Sequence, residues 1–281
     1  MAVIIDGKAL AARIRSEIAE EAKTLPRKAG LAVILVGEDP ASCVYVANKQ
    51  KDCQQCGFES FEYRLAEETK EEELLALIEK LNGDEKVDGI LVQLPLPKQI
   101  DARRVIEAID PKKDVDAFHP VNIGKMVIGE ESFVPCTPAG VMEMFKVYDI
   151  SLAGKLCVVL GRSNIVGKPM GLLMLRENGT VVYCHSKTKD IAEITRKADV
   201  LVSAVGKQGF VTADMVKEGA VVIDVSINRD AESGKLVGDA VFDEVAEKAS
   251  FITPVPGGVG PMTRAMLMKN VLTAAKLRLN I

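Results

Sequence analysis

Apolar positions along this chain fall into two patterns that trade places from end to end: short runs that are apolar throughout, and longer stretches with helical spacing. In the second half the runs at 158–160, 180–184, 200–204, 221–225 and 251–252 predict buried strands. Between them the spacing predicts helices at 169–178, closed by Gly179, at 190–198 and at 239–248, with a short helical turn near Thr212. Strands without a polar face that alternate with helices predict a parallel sheet covered on both sides.

The first half alternates in the same way. Strands are expected at 31–36, 60–64 and 87–94, and helices at 39–57, 69–82 and 101–109. Asp39 caps the first of these with Pro40 at its first position. Thr69 and Glu72 have capping-box spacing for the second, which Gly83 closes. Pro135-Cys136-Thr137-Pro138 reads as another helix start, with Thr137 as N-cap and Pro138 at the first position. A last helix, 262–279, has an amphipathic pattern and is expected to return to the first layer. The fold expected is α/β in two domains: 1–140 plus 264–281, and 141–263.

Length and charge narrow the partners. With 281 residues, 48% of them hydrophobic, the chain has material for about two cores. A net charge of −4 and the lack of a dense Lys/Arg stripe argue against nucleic acid and for a small-molecule substrate. No apolar run reaches the roughly 18 residues of a membrane span, and residues 1–6 lack the basic start and long apolar core of a signal peptide. A soluble, cytoplasmic protein is therefore expected. The six cysteines fit a reducing compartment. Cys53 and Cys56 have C-x-x-C spacing, but His119 and His185 stand alone, so two thiols on a helix are preferred and no metal site is expected.

The candidate chemistry begins at residues 158–169. There an apolar run stops at Gly161, passes Arg162, Ser163 and Asn164, and resumes at Gly167, Lys168 and Pro169, as a strand feeding a helix N-terminus would. Ser163 occupies the middle place of a G-x-G-x-x-G arrangement, so the turn is either a nucleotide fingerprint or an ordinary strand-to-helix connection. The following strand ends in His185, Ser186, Lys187, Thr188 and Lys189. No acidic residue is there to hold a ribose 2′-hydroxyl, which favours NADP over NAD.

Three other clusters carry possible chemistry. Ser42, Tyr45 and Lys49 share one face of the helix 39–57, either as a solvated polar face or as a lysine of lowered pKa beside a phenol. Gln93, before Leu94-Pro95-Leu96-Pro97, ends a strand at the edge where open α/β sheets bind ligands, or is only a terminating polar residue. Asp114 and Asp116 lie in a predicted turn. The Pro- and Gly-rich stretch 253–263 is either the wall of a ligand site or a plain return turn.

Taken together, Tyr45-x-x-x-Lys49, the stretch from Val92 to Pro97, Asp114-Val115-Asp116, residues 135–138, residues 161–167 and residues 254–263 closely resemble the bifunctional methylenetetrahydrofolate dehydrogenase/methenyltetrahydrofolate cyclohydrolase family, over nearly the whole chain. The resemblance implies a Rossmann-like second domain and a cleft between the two domains. It also implies NADP-dependent oxidation of 5,10-methylenetetrahydrofolate, then hydrolysis of the methenyl product to 10-formyltetrahydrofolate, which feeds purine biosynthesis. In that family pattern Lys49 is the acid/base group, Gln93 holds it, Tyr45 lies against the reduced folate and Asp116 anchors the pterin, with Pro256 and Gly257 also at the substrate. Gly161, Arg162, Ser163, Ser186, Lys187, Gly206 and Ile227 would line NADP, and the chain would form a homodimer. Ala117 and Ser226 stand where the family commonly has glycine. The alternatives are a monofunctional or NAD-preferring dehydrogenase, and a non-catalytic nucleotide-binding regulator.

Overall fold

The structure, a computed structural model, describes residues 1–281, Ala41 by its backbone alone. In chain order, β1 (Val3–Ile4) and α1 (Gly7–Ala22) lead into β2 (Gly30–Val36), α2 (Pro40–Gln55), β3 (Glu59–Leu65), α3 (Glu71–Gly83), β4 (Gly89–Val92), α4 (Ala102–Ala108) and α5 (Pro120–Ile128). There follow α6 (Cys136–Val147), β5 (Leu156–Leu160), α7 (Gly167–Arg176), β6 (Thr180–Cys184), α8 (Ile191–Thr195), β7 (Val200–Ser203) and a 3-10 turn (Ala213–Met215). The chain closes with β8 (Val221–Asp224), β9 (Asn228–Arg229), β10 (Leu236–Val237), α9 (Phe242–Lys248), β11 (Phe251–Ile252) and α10 (Val259–Leu279).

These elements form two compact units: Met1–Ala11 with Thr137–Thr263, and Ala12–Cys136 with Arg264–Ile281. The first residues thus fall with the second-half sheet, unlike the 1–140 block expected from sequence. The reason is pairing: β1 lies parallel to β11, with Val3 opposite Phe251 and Ile4 opposite Ile252, and the Ile5 amide donates to the Ile252 carbonyl at 2.9 Å.

In the first unit six parallel strands run in the order β1-β11-β8-β7-β5-β6. Val158, Leu160, Leu201, Val222, Val245 and Ile252 belong to one buried cluster in it. The second unit has a three-stranded parallel sheet, β3-β2-β4, with β2 in the centre and all seven of its residues buried. Leu74, Ile78 and Leu81 of α3 and Val105 of α4 belong to the core that covers β2 and β4. Among the described residues no helix is long and apolar enough to cross a membrane.

Several helix starts differ from expectation. Asp39 does cap α2, accepting the Ser42 amide at 2.8 Å. The Thr69/Glu72 box does not form: Lys70 is the N-cap, the Thr69 amide closes a turn onto Ala66, and Glu71, Glu72 and Glu73 place charge at the positive end of the α3 dipole. α6 begins at Cys136, one residue before the expected cap, and the Thr137 hydroxyl pairs with that of Thr263 at 2.9 Å. α7 starts at Gly167 and ends two residues early. There Asn178 takes the left-handed conformation (φ 65°), while a Cβ on Gly179 would crowd Cys157 Sγ at 3.0 Å. α9 begins at Phe242 because Asp239 is drawn into other contacts.

α10 is not amphipathic along its length. Ala265, Met266, Leu267 and Met268 are all buried, so its first turns are covered on every side. α1, α5 and the β9–β10 hairpin have no counterpart in the sequence expectations.

Candidate functional site

In the six-stranded sheet β5 lies between β6 and β7, so its C-terminal edge is the switch point at which such sheets bind ligands. A cavity of about 530 Å³ opens there, lined by Gly161 and Arg162 after β5, His185 and Ser186 after β6, and Val205 and Lys207 after β7. Both glycines of the turn are needed for close approach. Gly161 has φ 117°, and a Cβ on it would lie 2.5 Å from the Ala204 carbonyl oxygen. A Cβ on Gly167 would lie 2.6 Å from the Gly161 carbonyl oxygen.

Ser163 has a local task. Its hydroxyl accepts the amides of Val166 and Gly167, each at 3.2 Å, the second being the first residue of α7. Ser163, Lys187, Gly206 and Ile227 are not among the cavity-lining residues; all four are solvent-exposed. Lys207 and Phe210, which the sequence reading passed over, do line it, with the ammonium 5.8 Å from the ring centroid. A cation three residues past a buried strand was the available signal. Among the described lining residues none is acidic, and Arg162 and Lys207 bring positive charge, a setting for phosphate.

In the other unit the residues from Asp114 to Asp116 run beside β4, bridging Ile90 to Asp114 in parallel register. The Asp114 carboxylate is buried and used internally: it accepts the His119 amide at 2.8 Å and Asn122 Nδ2 at 2.9 Å. Asp116 is left for other work.

Ala117, next in the chain, sits fully buried at φ 61°. A left-handed alanine costs roughly 1–2 kcal/mol, but glycine there would lose a buried methyl worth about 0.8 kcal/mol and add about 0.4–1 kcal/mol of unfolded-chain entropy. The terms nearly cancel. Ala117→Gly is therefore expected within about 1 kcal/mol of wild type in urea unfolding, whereas Ala117→Val, branched and overpacked, loses more than about 2 kcal/mol.

Lys49, on α2, donates from Nζ to Gln93 Oε1 at 2.9 Å, and Gln93 Nε2 donates in turn to the Leu94 carbonyl at 2.6 Å. Burial lowers the Lys49 pKa, opposed chiefly by the charge of Asp116. Burial likewise pushes the Asp116 carboxyl up to about 6, while Lys49 pulls it down. Cys136 and Asn270 complete the surroundings: the thiol donates to the Val115 carbonyl at 3.4 Å, Asn270 Nδ2 donates to that sulfur at 3.6 Å, and burial keeps the thiol well above its usual range. Cys136 belongs to the helix start read at 135–138, without a link to Lys49, and Asn270 carries no local signal, because each is brought in by α6 or α10.

The face expected from Ser42, Tyr45 and Lys49 is thus split. Ser42 is buried, Lys49 half-buried and Tyr45 41% exposed, one turn from the lysine. Pro256 and Gly257 fall in the loop between β11 and α10 of the first unit, Gly257 at φ 107° with its carbonyl accepting the Lys8 amide at 2.9 Å. Cys53 and Cys56 are buried free thiols, each pushed up to about 12 mainly by burial.

A parallel sheet with a cation-lined cavity at its switch point, together with a separate α/β unit with a half-buried lysine, is the arrangement of a dinucleotide-dependent enzyme. The comparisons narrow this. The sequence model of the tetrahydrofolate dehydrogenase/cyclohydrolase catalytic domain matches residues 5–116, and that of the same family's NAD(P)-binding domain matches residues 135–279. A bifunctional protein FolD of Acetivibrio thermocellus is 59% identical over 99% of this chain and 98% of its own. The crystal structure of FolD from Campylobacter jejuni superposes with a TM-score of 0.97 at 51% identity, over 99% of this chain and 100% of that one. The Trypanosoma brucei enzyme, solved with NADP and an inhibitor, gives 0.96 at 41% identity, over 100% and 99%. The chain belongs to the tetrahydrofolate dehydrogenase/cyclohydrolase family of bifunctional enzymes.

Proposed function

We propose that this protein oxidises 5,10-methylenetetrahydrofolate with NADP⁺ and hydrolyses the resulting methenyl cation to 10-formyltetrahydrofolate, with Lys49 as the proton carrier of the second step. The observation that carries the reading is the Lys49 Nζ to Gln93 Oε1 hydrogen bond of 2.9 Å in a partly desolvated setting. Hydride transfer asks the protein for alignment and little else. Hydrolysis asks for more: water adds to the methenyl carbon and loses one proton, the bond from that carbon to a ring nitrogen breaks as the nitrogen gains a proton, and the remaining hydroxyl releases its proton to solvent to leave the formyl group. An amine of lowered pKa can accept the first proton and return it as an ammonium.

Asp116 accepts hydrogen bonds from the amino and ring N–H groups of the pterin, and Tyr45 lies against the folate. The unit of Ala12–Cys136 with Arg264–Ile281 serves the folate, and the unit of Met1–Ala11 with Thr137–Thr263 the dinucleotide. Arg162 and Ser163 attend the phosphates, with Ser186 and Lys187 at the 2′-phosphate, Gly206 along the dinucleotide path and the Ile227 backbone at the nicotinamide amide. The protein works as a homodimer in the cytoplasm, and its product supplies formyl groups for purine biosynthesis.

The test is a spectrophotometric assay of methylenetetrahydrofolate with NADP⁺ and NAD⁺ in parallel, following reduced dinucleotide and the decay of the methenyl chromophore. NADP⁺ is expected to be strongly preferred, and Arg162→Ala to raise its KM on the order of tenfold, since a hydrogen bond to a charged group is worth about 1.5–3 kcal/mol. Equal use of NAD⁺, or a methenyl product that accumulates without decay, overturns the reading.

A further inference from the structure

Asp239 is fully buried in the loop before α9, and its carboxylate accepts six hydrogen bonds. Oδ2 takes the Ser203 hydroxyl at 2.7 Å, the Ser226 hydroxyl at 2.8 Å and the amides of Val205 and Gly206 at 2.9 and 3.3 Å. Oδ1 takes the Lys207 amide at 2.8 Å and Asn228 Nδ2 at 3.1 Å. Three successive amides converging on one anion form a nest, which fixes the backbone that carries them. The donors come from two segments, 203–207 from the last residue of β7 onward, and 226–228 between β8 and the first residue of β9. The Ser226 hydroxyl binds them directly as well, accepting the Gly206 amide at 3.0 Å while donating to Asp239.

These are the segments that meet the cofactor in the reading above: Val205 and Lys207 line the cavity, and Gly206 and Ile227 lie along the dinucleotide path. A buried carboxylate without partners would take up a proton. Burial does push Asp239 in that direction, but the hydroxyls of Ser203 and Ser226 and the donors at Val205 and Asn228 outweigh it and hold the group below the usual range. Asp224, also buried but with fewer donors, goes the other way, up to about 6, chiefly by burial. Asp239 is therefore an anion whose acceptors are committed to the two loops.

We infer that Asp239, with the Ser226 hydroxyl as its bridge, is a positioning residue for the dinucleotide, setting the 205–207 and 226–228 backbones against which NADP is held. The inference rests on the proposed cofactor role of this unit. Asp239→Asn keeps the shape but turns one acceptor into a donor facing other donors. Its NADP⁺ Kd by calorimetry and its NADP⁺ KM are expected to rise tenfold or more, with kcat at saturating NADP⁺ within threefold of wild type. A merely structural role would reduce the active fraction, and so kcat, and leave KM and Kd unmoved. Ser226→Ala removes one hydroxyl, folds with little penalty, and should raise Kd about threefold, while Ser226→Thr, which keeps the hydroxyl, stays within twofold. If Asp239→Asn does not fold, the serine pair decides. Wild type that binds no NADP⁺ overturns the cofactor reading and this inference with it. Tight binding by wild type with equal Kd in Asp239→Asn, or in both serine variants where the asparagine variant does not fold, overturns the role of Asp239 alone.

Discussion

Lys49→Ala should lower the hydrolysis of methenyltetrahydrofolate by about 10²–10⁴-fold, the range contributed by a positioned acid or base, while NADP⁺ still binds. The size of the effect follows from how the amine is held. A surface lysine is an ammonium at neutral pH and has no lone pair to offer water. Burial lowers the Lys49 pKa toward the working range, and Asp116 limits how far it falls. The Gln93 oxygen fixes the nitrogen in place without taking its proton, since an amide carbonyl only accepts. Lys49→Arg keeps a donor for Gln93 but stays charged at every accessible pH, so it should hydrolyse as poorly as alanine. Stopped-flow decay of the methenyl chromophore checks both variants. Calorimetry with NADP⁺ shows whether each is folded, and wild-type hydrolysis in either would remove Lys49 from the mechanism.

How far the site could be read from sequence depends on how local its causes are. The Gly161 turn was legible because its demands lie within seven residues: a strand must end, the chain must pass close to itself, and a helix must begin. Asp39 and Pro40 announced α2 for the same reason. Lys49 and Gln93 each carried a local hint, but their hydrogen bond spans 44 positions and exists only because β2 brings the edges of α2 and β4 together. Asn270 had no hint at all and Cys136 was legible only as part of a helix start, both being supplied to the surroundings of Lys49 by helices distant in the chain. Asp239 stands at the start of the helix that the spacing predicts over 239–248. Its real partners lie 11–36 residues earlier and could not compete in a local reading. The local reading fails in the same way at Thr69, where a neighbouring turn claims the amide.

Asp116→Ala should raise the KM for the folate by roughly 10²-fold or more, since an anchor accepting two N–H bonds from the pterin would lose two charge-assisted interactions of about 1.5–3 kcal/mol each. The carboxylate also gives the enzyme a pH limit. Its pKa is pushed up to about 6 by burial, so the anion that accepts those bonds is fully present above that pH and is lost as the pH falls through it. Folate affinity is expected to weaken about tenfold per pH unit below the break, as the ionised fraction falls. Asp114 does not share this role, because its oxygens are committed to His119 and Asn122 and its loss would act on folding. Lys49 pulls the Asp116 pKa down, so Lys49→Ala should move the break in folate binding to higher pH. Titrating folate affinity against pH in wild type and in the lysine variant tests the coupling. A break that stays in place would mean that the two groups do not feel each other, and a KM unchanged in Asp116→Ala would mean that the pterin is held elsewhere.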